Sequence, residues 1–246
     1  MARAPEFDVD EIAPVVPWAE LVAGMNYRHD ESVTLVGPPG RGKTTVGLEL
    51  LELRRNAVIV ATKPKDTMLD QFTKRHGYVR ATTLPHVSVA RRILVWPKAK
   101  NLGSVQMQRD VIAGVLDQVY EEGNRAIFAD EVHYLGEFLH MAPRLKMLWT
   151  QGRSNGISLI AGFQRPAFVP RDAYTSATHL FMFGSADDTD AKSLGGIGGL
   201  DARLIRYVVK WLAADSSRKH MFLYVNSRNG KMVRSRFDKS TPPKGR

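Results

Sequence analysis

The sequence predicts an α/β fold, a mainly parallel sheet covered by helices on both faces. Three observations lead there. Several apolar runs lack the alternation of a half-solvated strand: Ser32-Val33-Thr34-Leu35-Val36, Ala57-Val58-Ile59-Val60-Ala61 and Ala126-Ile127-Phe128-Ala129 are continuous, as strands buried on both faces are. Segments of helical period separate them. A glycine-rich turn, Gly37 to Gly42, joins the first run to a helical stretch. Strands alternating with helices form parallel sheets.

The elements follow in order. Residues up to Pro17 are punctuated by proline and read as an arm. A short helix is expected over 18–27, then the strand 32–36, a helix over 43–54 and the strand 57–61. A helix over 65–74 and a short strand over 93–96, stopped by Pro97, come next. The stretch 104–120 carries Met107, Val111, Val115 and Val119 at helical spacing, widened by Ile112 and Leu116. The strand 126–129 ends in Asp130-Glu131, and 134–150 reads as a helix interrupted near Pro143. Strands at 157–163 and 179–183, a helix over 202–212 and a last strand at 221–225 complete the pattern.

Composition excludes several classes. The chain has 246 residues, 43% hydrophobic and 24% charged, which is globular and not disordered. With no cysteine it holds no disulfide, thiolate metal site or cysteine nucleophile. No run approaches the ~20 apolar residues of a spanning helix, so no membrane partner is expected. The acidic start, with Glu6, Asp8 and Asp10, is no secretion signal, and a cytoplasmic protein is expected. The formal charge of +10 points to a polyanionic partner.

Gly37-Pro38-Pro39-Gly40-Arg41-Gly42-Lys43-Thr44 matches the phosphate-loop pattern at every fixed position, between a predicted strand and a predicted helix. Glycines let backbone N–H groups face phosphate oxygens, and the helix N-terminus adds partial positive charge. The expected ligand is ATP with Mg²⁺. Lys43 should reach the β- and γ-phosphates, and Thr44 should ligate Mg²⁺, with Thr45 beside it. Asp130 and Glu131 follow an apolar strand. Strand C-terminal ends share one crevice, so Asp130 is placed to hold Mg²⁺ and Glu131 to polarise the attacking water.

The stretch Gly152-Arg153-Ser154-Asn155-Gly156, running on through an apolar strand to Gln164-Arg165-Pro166, resembles the FtsK/HerA superfamily of DNA-pumping ATPases. With the phosphate loop and Asp130-Glu131, the resemblance covers about 33–183. It implies a RecA-like P-loop NTPase fold. It also implies that Gln164 senses the γ-phosphate or the attacking water, and that Arg153 is an arginine finger acting on a neighbouring subunit's nucleotide. Arg144, Arg165 and Arg171 compete for that last role. The expected organisation is an N-terminal arm (1–30), a P-loop ATPase domain (31–226) and a basic C-terminal tail (227–246) whose last residues are expected to be disordered. So short a chain, without the large extra domains of cellular members, resembles the small genome-packaging ATPases of viruses. The implied partners are double-stranded DNA, further copies in a ring and a capsid or portal protein, in the host cytoplasm or on the virion.

DNA contact is expected from Lys98, Lys100 and Asn101, from 165–171 or from the basic tail. The glycine run within 185–200 reads as a hinge or lid, although Asp187, Asp188 and Asp190 make it a poorer DNA surface. Arg91-Arg92 reads as a structural or trans-acting pair. Three alternatives stay open: a conjugation or chromosome-segregation motor, a P-loop kinase, and a nucleotide-gated switch.

Overall fold

The computed structural model describes residues 7–99, 101–196 and 200–238. Lys100, the 197–199 part of the glycine run and the tail end 239–246 lie outside the described residues. The strands are β1 (Ser32–Val36), β2 (Ala57–Val60), β3 (Val79–Arg80), β4 (Arg92–Val95), β5 (Ala126–Ala129), β6 (Ser158–Phe163), β7 (Ala177–Phe183), β8 (Met221–Asn226) and β9 (Met232–Arg236). The helices are α1 (Val9–Ile12), α2 (Trp18–Met25), α3 (Lys43–Glu52), α4 (Thr67–Arg75), α5 (Val105–Glu122), α6 (Ala142–Gln151), α7 (Arg171–Thr175), α8 (Asp188–Gly195) and α9 (Ala202–Ala213). The fold class is the one expected, mostly parallel α/β. The chain divides into two compact units.

The first unit holds the described residues up to Tyr27, Val33–Val46 and the described residues from Phe163 onward. Its strand order is β1-β7-β8-β9. Here the sheet departs from the parallel expectation: β8 runs antiparallel to both β7 and β9. Only 227–231 joins β8 to β9, far too short for a parallel crossover. Gly230 turns at φ 69° and its amide donates to the Asn226 carbonyl at 2.9 Å. The core is aromatic: Phe181 and Phe222 sit edge to face at 5.2 Å, and Trp18 covers Phe222 at 6.2 Å. Helix α9 turns Ile205, Val208, Val209 and Leu212 inward at i, i+3, i+4 and i+7, with Asp201 capping its start.

The segment read as an N-terminal arm packs into this unit. Trp18, Leu21, Val22 and Met25 of α2 are buried. The Val16 amide donates to the Arg234 carbonyl, and the Arg234 amide to Pro14, both at 2.9 Å. Arg234 was read as part of a basic tail. It is buried in β9, its Nε donates to Ala13 O at 2.6 Å and its guanidinium lies 4.5 Å over the Trp211 ring.

The second unit holds Arg28–Ser32 and Gly47–Gly162. Its order is β3-β4-β2-β5-β6, and every described pair is parallel. Strands β2, β5 and β6 are buried at every residue, which requires cover on both faces. Helix α5 buries Gln108, Ile112, Val115, Leu116 and Val119, a stripe rotated from the expected one, and Met107 is exposed. Gln108 is tolerated inside because its amide donates to Pro97 O at 2.8 Å and accepts from the Tyr134 hydroxyl at 2.9 Å. The helix expected over 134–150 is two elements, a π-helical turn (Tyr134–Phe138) and α6. Pro143 starts α6 from its first turn, where a missing N–H costs nothing.

Candidate active site

In the first unit β1 ends at Val36 and Gly37 leaves the sheet, its amide donating to Phe163 O at 3.1 Å. A Cβ on Gly37 would stand 2.6 Å from the Phe183 Cβ, so no other residue fits without displacing β7. Gly40 and Gly42 turn through φ 71° and 103°. Helix α3 then opens at Lys43, its ladder starting from the Val46 amide to Gly42 O at 3.0 Å. Lys43 is buried and its Nζ donates to Pro38 O at 2.9 Å. The ammonium is thereby folded over its own loop. Thr44 and Thr45 stand half-buried in the first turn, and Pro39 and Gly40 are exposed at the tip. A glycine turn capped by a helix N-terminus and a lysine is an anion cradle.

In the second unit β5 ends at Ala129 and places Asp130 and Glu131 just beyond. Strand β2 is its in-register neighbour, with Val60 opposite Ala129. Beyond β2 the Lys63 Nζ bridges both carboxylates, 3.1 Å from Asp130 Oδ2 and 3.3 Å from Glu131 Oε1. Burial pulls the Lys63 ammonium down, but Asp130 and Glu131 outweigh it and hold it above the ordinary lysine value. The lysine loop is itself held, since Trp96 Nε1 donates to Lys63 O at 2.7 Å. Gly162 on β6 supports Asp130 from the other side: a Cβ there would lie 2.6 Å from the Asp130 carbonyl oxygen. Sequence reading missed Lys63 and Gly162. The signal for Lys63 was present, because two neighbouring parallel strands end at one edge and Lys63 is two residues past the apolar run of β2.

The third motif divides. Gln164 is exposed directly after β6 in the first unit, and Arg165 approaches Asp190 at 3.5 Å. Arg153 lies in a 3₁₀ turn (Gly152–Asn155) ahead of β6, and its Nε donates to Asp30 Oδ2 at 3.0 Å. Arg28 holds the same carboxylate at 3.2 Å. Burial pushes the Asp30 carboxyl up, and the hydrogen bonds from Arg28 and Arg153 more than reverse this, leaving it below the usual range. Because β5 and β6 are parallel, a residue before β6 sits at the opposite edge from residues after β5. Arg153 is therefore not gathered with Asp130 and Glu131 of its own chain. Of its competitors, Arg144 is engaged bidentately by Asp117 at 2.7 and 2.9 Å, and Arg171 opens α7 in an exposed position.

The proposed DNA contacts have mixed fates. The Lys98 Nζ lies 4.5 Å over the Trp96 ring, while Asn101 caps a 3₁₀ turn (Leu102–Ser104). The 185–200 region holds α8, which ends at Gly195 where the glycine run read as a hinge or lid begins, and which is capped by Asp187, whose carboxyl the Asp190 and Thr189 amides hold below the usual range. Arg92 is fixed by Glu52, which makes it structural. Among the described residues no cluster of three metal-ligating side chains occurs, and no helix is long and apolar enough to cross a membrane.

Known proteins resemble this chain along most of its length. A protein-family model described as an AAA domain matches residues 26–165, more than half of the chain. The DNA packaging ATPase P9 of Enterobacteria phage PRD1 is 24% identical over 178 residues, 70% of this chain and 71% of P9. The crystal structure of B204, the DNA-packaging ATPase from Sulfolobus Turreted Icosahedral Virus, aligns with a TM-score of 0.59 at 15% identity, covering 83% of this chain and 96% of B204. The genome packaging NTPase B204 from Sulfolobus turreted icosahedral virus 2, in complex with AMPPCP, aligns at 0.60 with 16% identity over 84% and 97% of the two chains.

Proposed function

The chain belongs to the AAA-domain family and is a P-loop ATPase, and from that premise we propose that it couples ATP hydrolysis to movement of double-stranded DNA, as a viral genome-packaging motor subunit. The observation that carries the reading is reciprocal coverage. The two B204 packaging ATPases match most of this chain and nearly the whole of their own, and P9 matches 70% of this chain and 71% of its own.

In this reading Gly37, Pro38, Pro39, Gly40, Arg41, Gly42, Lys43, Thr44 and Thr45 bind the ATP phosphates. Lys43 exchanges its Pro38 carbonyl for phosphate oxygens. Thr44 and Asp130 are the residues that would hold Mg²⁺, which supplies charge neutralisation when bound. A site with few protein oxygens suits this ion, which binds through one or two side chains plus phosphates. Glu131 accepts the proton of the attacking water, and Lys63 fixes where its carboxylate stands. Gln164 hydrogen-bonds the reacting phosphate or water. Arg153 acts on the nucleotide of a neighbouring copy in a homo-oligomeric ring. Its position across the parallel sheet from its own Glu131 supports a role in trans. DNA is the substrate moved, and a capsid or portal protein in the host cytoplasm is the docking partner.

The test is steady-state ATP turnover with and without long duplex DNA, for wild type and Arg153→Ala. DNA should stimulate the wild type. Loss of a finger costs about 10³-fold in turnover, with ATP binding retained. Turnover indifferent to both DNA and Arg153 would overturn the motor and favour a kinase or a switch.

A further inference from the structure

The second unit carries a basic groove on the edge opposite its carboxylates. Ala57, Arg92, Ala126 and Ser158 stand in register where β2, β4, β5 and β6 begin. The residues just before them, Asn56, Arg91 and Arg125, are consequently side by side. They line a cavity of about 610 Å³ together with His29, Arg54 and Arg55, and no aspartate or glutamate is among its lining residues. A second cavity of about 550 Å³ shares Arg55, Val87, Ser88 and Arg91 with the first, and it too lacks a carboxylate. At a strand spacing of ~4.8 Å, four strand starts span about 14 Å.

Two side-chain observations point to a ligand. Arg125 is 1% exposed, and its Nη2 donates to Pro85 O at 2.6 Å and to Glu122 at 3.2 Å. Its Nε and Nη1 have no hydrogen-bond partner among the described residues. Both atoms are buried, so Arg125 adds positive charge beneath the groove and Arg55 and Arg91 supply its accessible surface. The Arg55 and Arg91 side chains are exposed and form no ion pair among the described residues. The pair Arg91-Arg92 thus has two roles: Arg92 is bound to Glu52, and Arg91 faces the groove.

We propose that this groove binds the phosphodiester backbone of DNA. The inference rests on the DNA-motor reading and adds a surface to it. A length of about 14 Å exceeds what one phosphate needs and suits several, since duplex DNA carries a charge every ~1.7 Å of axis. No Phe, Tyr or Trp lines either cavity, and His29 is the one ring in the lining of the first, so successive bases have no stacking platform and contact is to the backbone, without regard to sequence. The groove lies a strand's length from Asp130 and Glu131, so DNA held there leaves the hydrolytic carboxylates clear.

The experiment uses the full chain and an Arg55→Glu/Arg91→Glu double variant, with Arg55→Gln/Arg91→Gln as the milder form should the glutamates impair folding. Binding of a fluorescent 30-base-pair duplex is measured across a salt series, beside DNA-free ATP turnover and oligomer mass. The expected result is a loss of affinity on the order of tenfold and a salt slope shallower by about 2, with DNA-free turnover and mass unchanged. Arg55→Lys/Arg91→Lys should retain binding. A variant that matches a DNA-binding wild type in affinity and slope overturns the groove alone. A wild type that binds no duplex at low salt overturns the motor reading and the groove with it. Loss of self-association at unchanged DNA affinity overturns the proposal by giving the groove to a second copy of the chain.

Discussion

The two units solve different problems with the same kind of strand. In the second, every described pair is parallel, so the ends of β2, β5 and β6 fall on one edge and their starts on the other. One edge gathers Lys63, Asp130 and Glu131, and the other gathers arginines. In the first, the antiparallel β7-β8-β9 ladder gives up that sorting. It supplies instead a rigid aromatic wall, of which Phe183 presses on Gly37 at the root of the phosphate loop. Parallel order sorts chemistry by edge, whereas antiparallel order builds a support.

The largest effects should separate the units by function. Glu131→Gln is expected to lower kcat by about 10²–10⁴-fold, the range of a lost general base, with nucleotide affinity kept. Lys43→Ala should instead abolish binding of an ATP analogue. Titration calorimetry with a non-hydrolysable analogue, beside turnover, checks both. Equal loss of affinity in the two variants would erase the division.

Next come the two glycines, at each of which a Cβ would stand 2.6 Å from a neighbour that cannot move freely. A Cβ on Gly162 pushes the backbone of Asp130, and a displacement near 1 Å costs about 10²-fold in rate. Gly162→Ala should therefore lower kcat on the order of 10- to 100-fold with little change in affinity. Gly37→Ala pushes Phe183 and should act on nucleotide affinity first. If both alanines moved only the melting temperature, neither glycine would be positioning a site.

How much of this was legible follows from the same contrast. Strands β1, β2 and β5 are continuous apolar runs, and their ends were read to within a residue or so. Strand β9 was not, because Arg234 and Arg236 make it look like a solvated tail. The polarity misleads because Arg234 is satisfied by Ala13 O and the Trp211 ring, partners distant in sequence. Helix α8 is absent from the sequence reading because its acids look like loop residues, yet Asp187 is its cap. At the candidate site, the motif residues are the ones that spacing alone singles out. Lys63 and Gly162 belong to no motif, and only strand adjacency reveals them.

The smallest expected effect concerns the Arg28–Asp30–Arg153 cluster, which bears on whether Arg153 is a structural residue or an acting one. The folded Asp30 carboxyl lies below its ordinary value of 3.8. Its contribution to stability is therefore present above about pH 3.8 and is lost as pH falls through the lower folded value. Arg153 is 58% exposed, so screening keeps the pair under about 1 kcal/mol. Asp30→Asn should melt below wild type at pH 7 by less than roughly 4 °C, and the gap should close in acid. Its DNA-stimulated turnover should stay near that of wild type, because a finger that reaches another copy does not need Asp30 once engaged. Turnover falling as far in Asp30→Asn as in Arg153→Ala would mean that Arg153 acts by holding its own chain together.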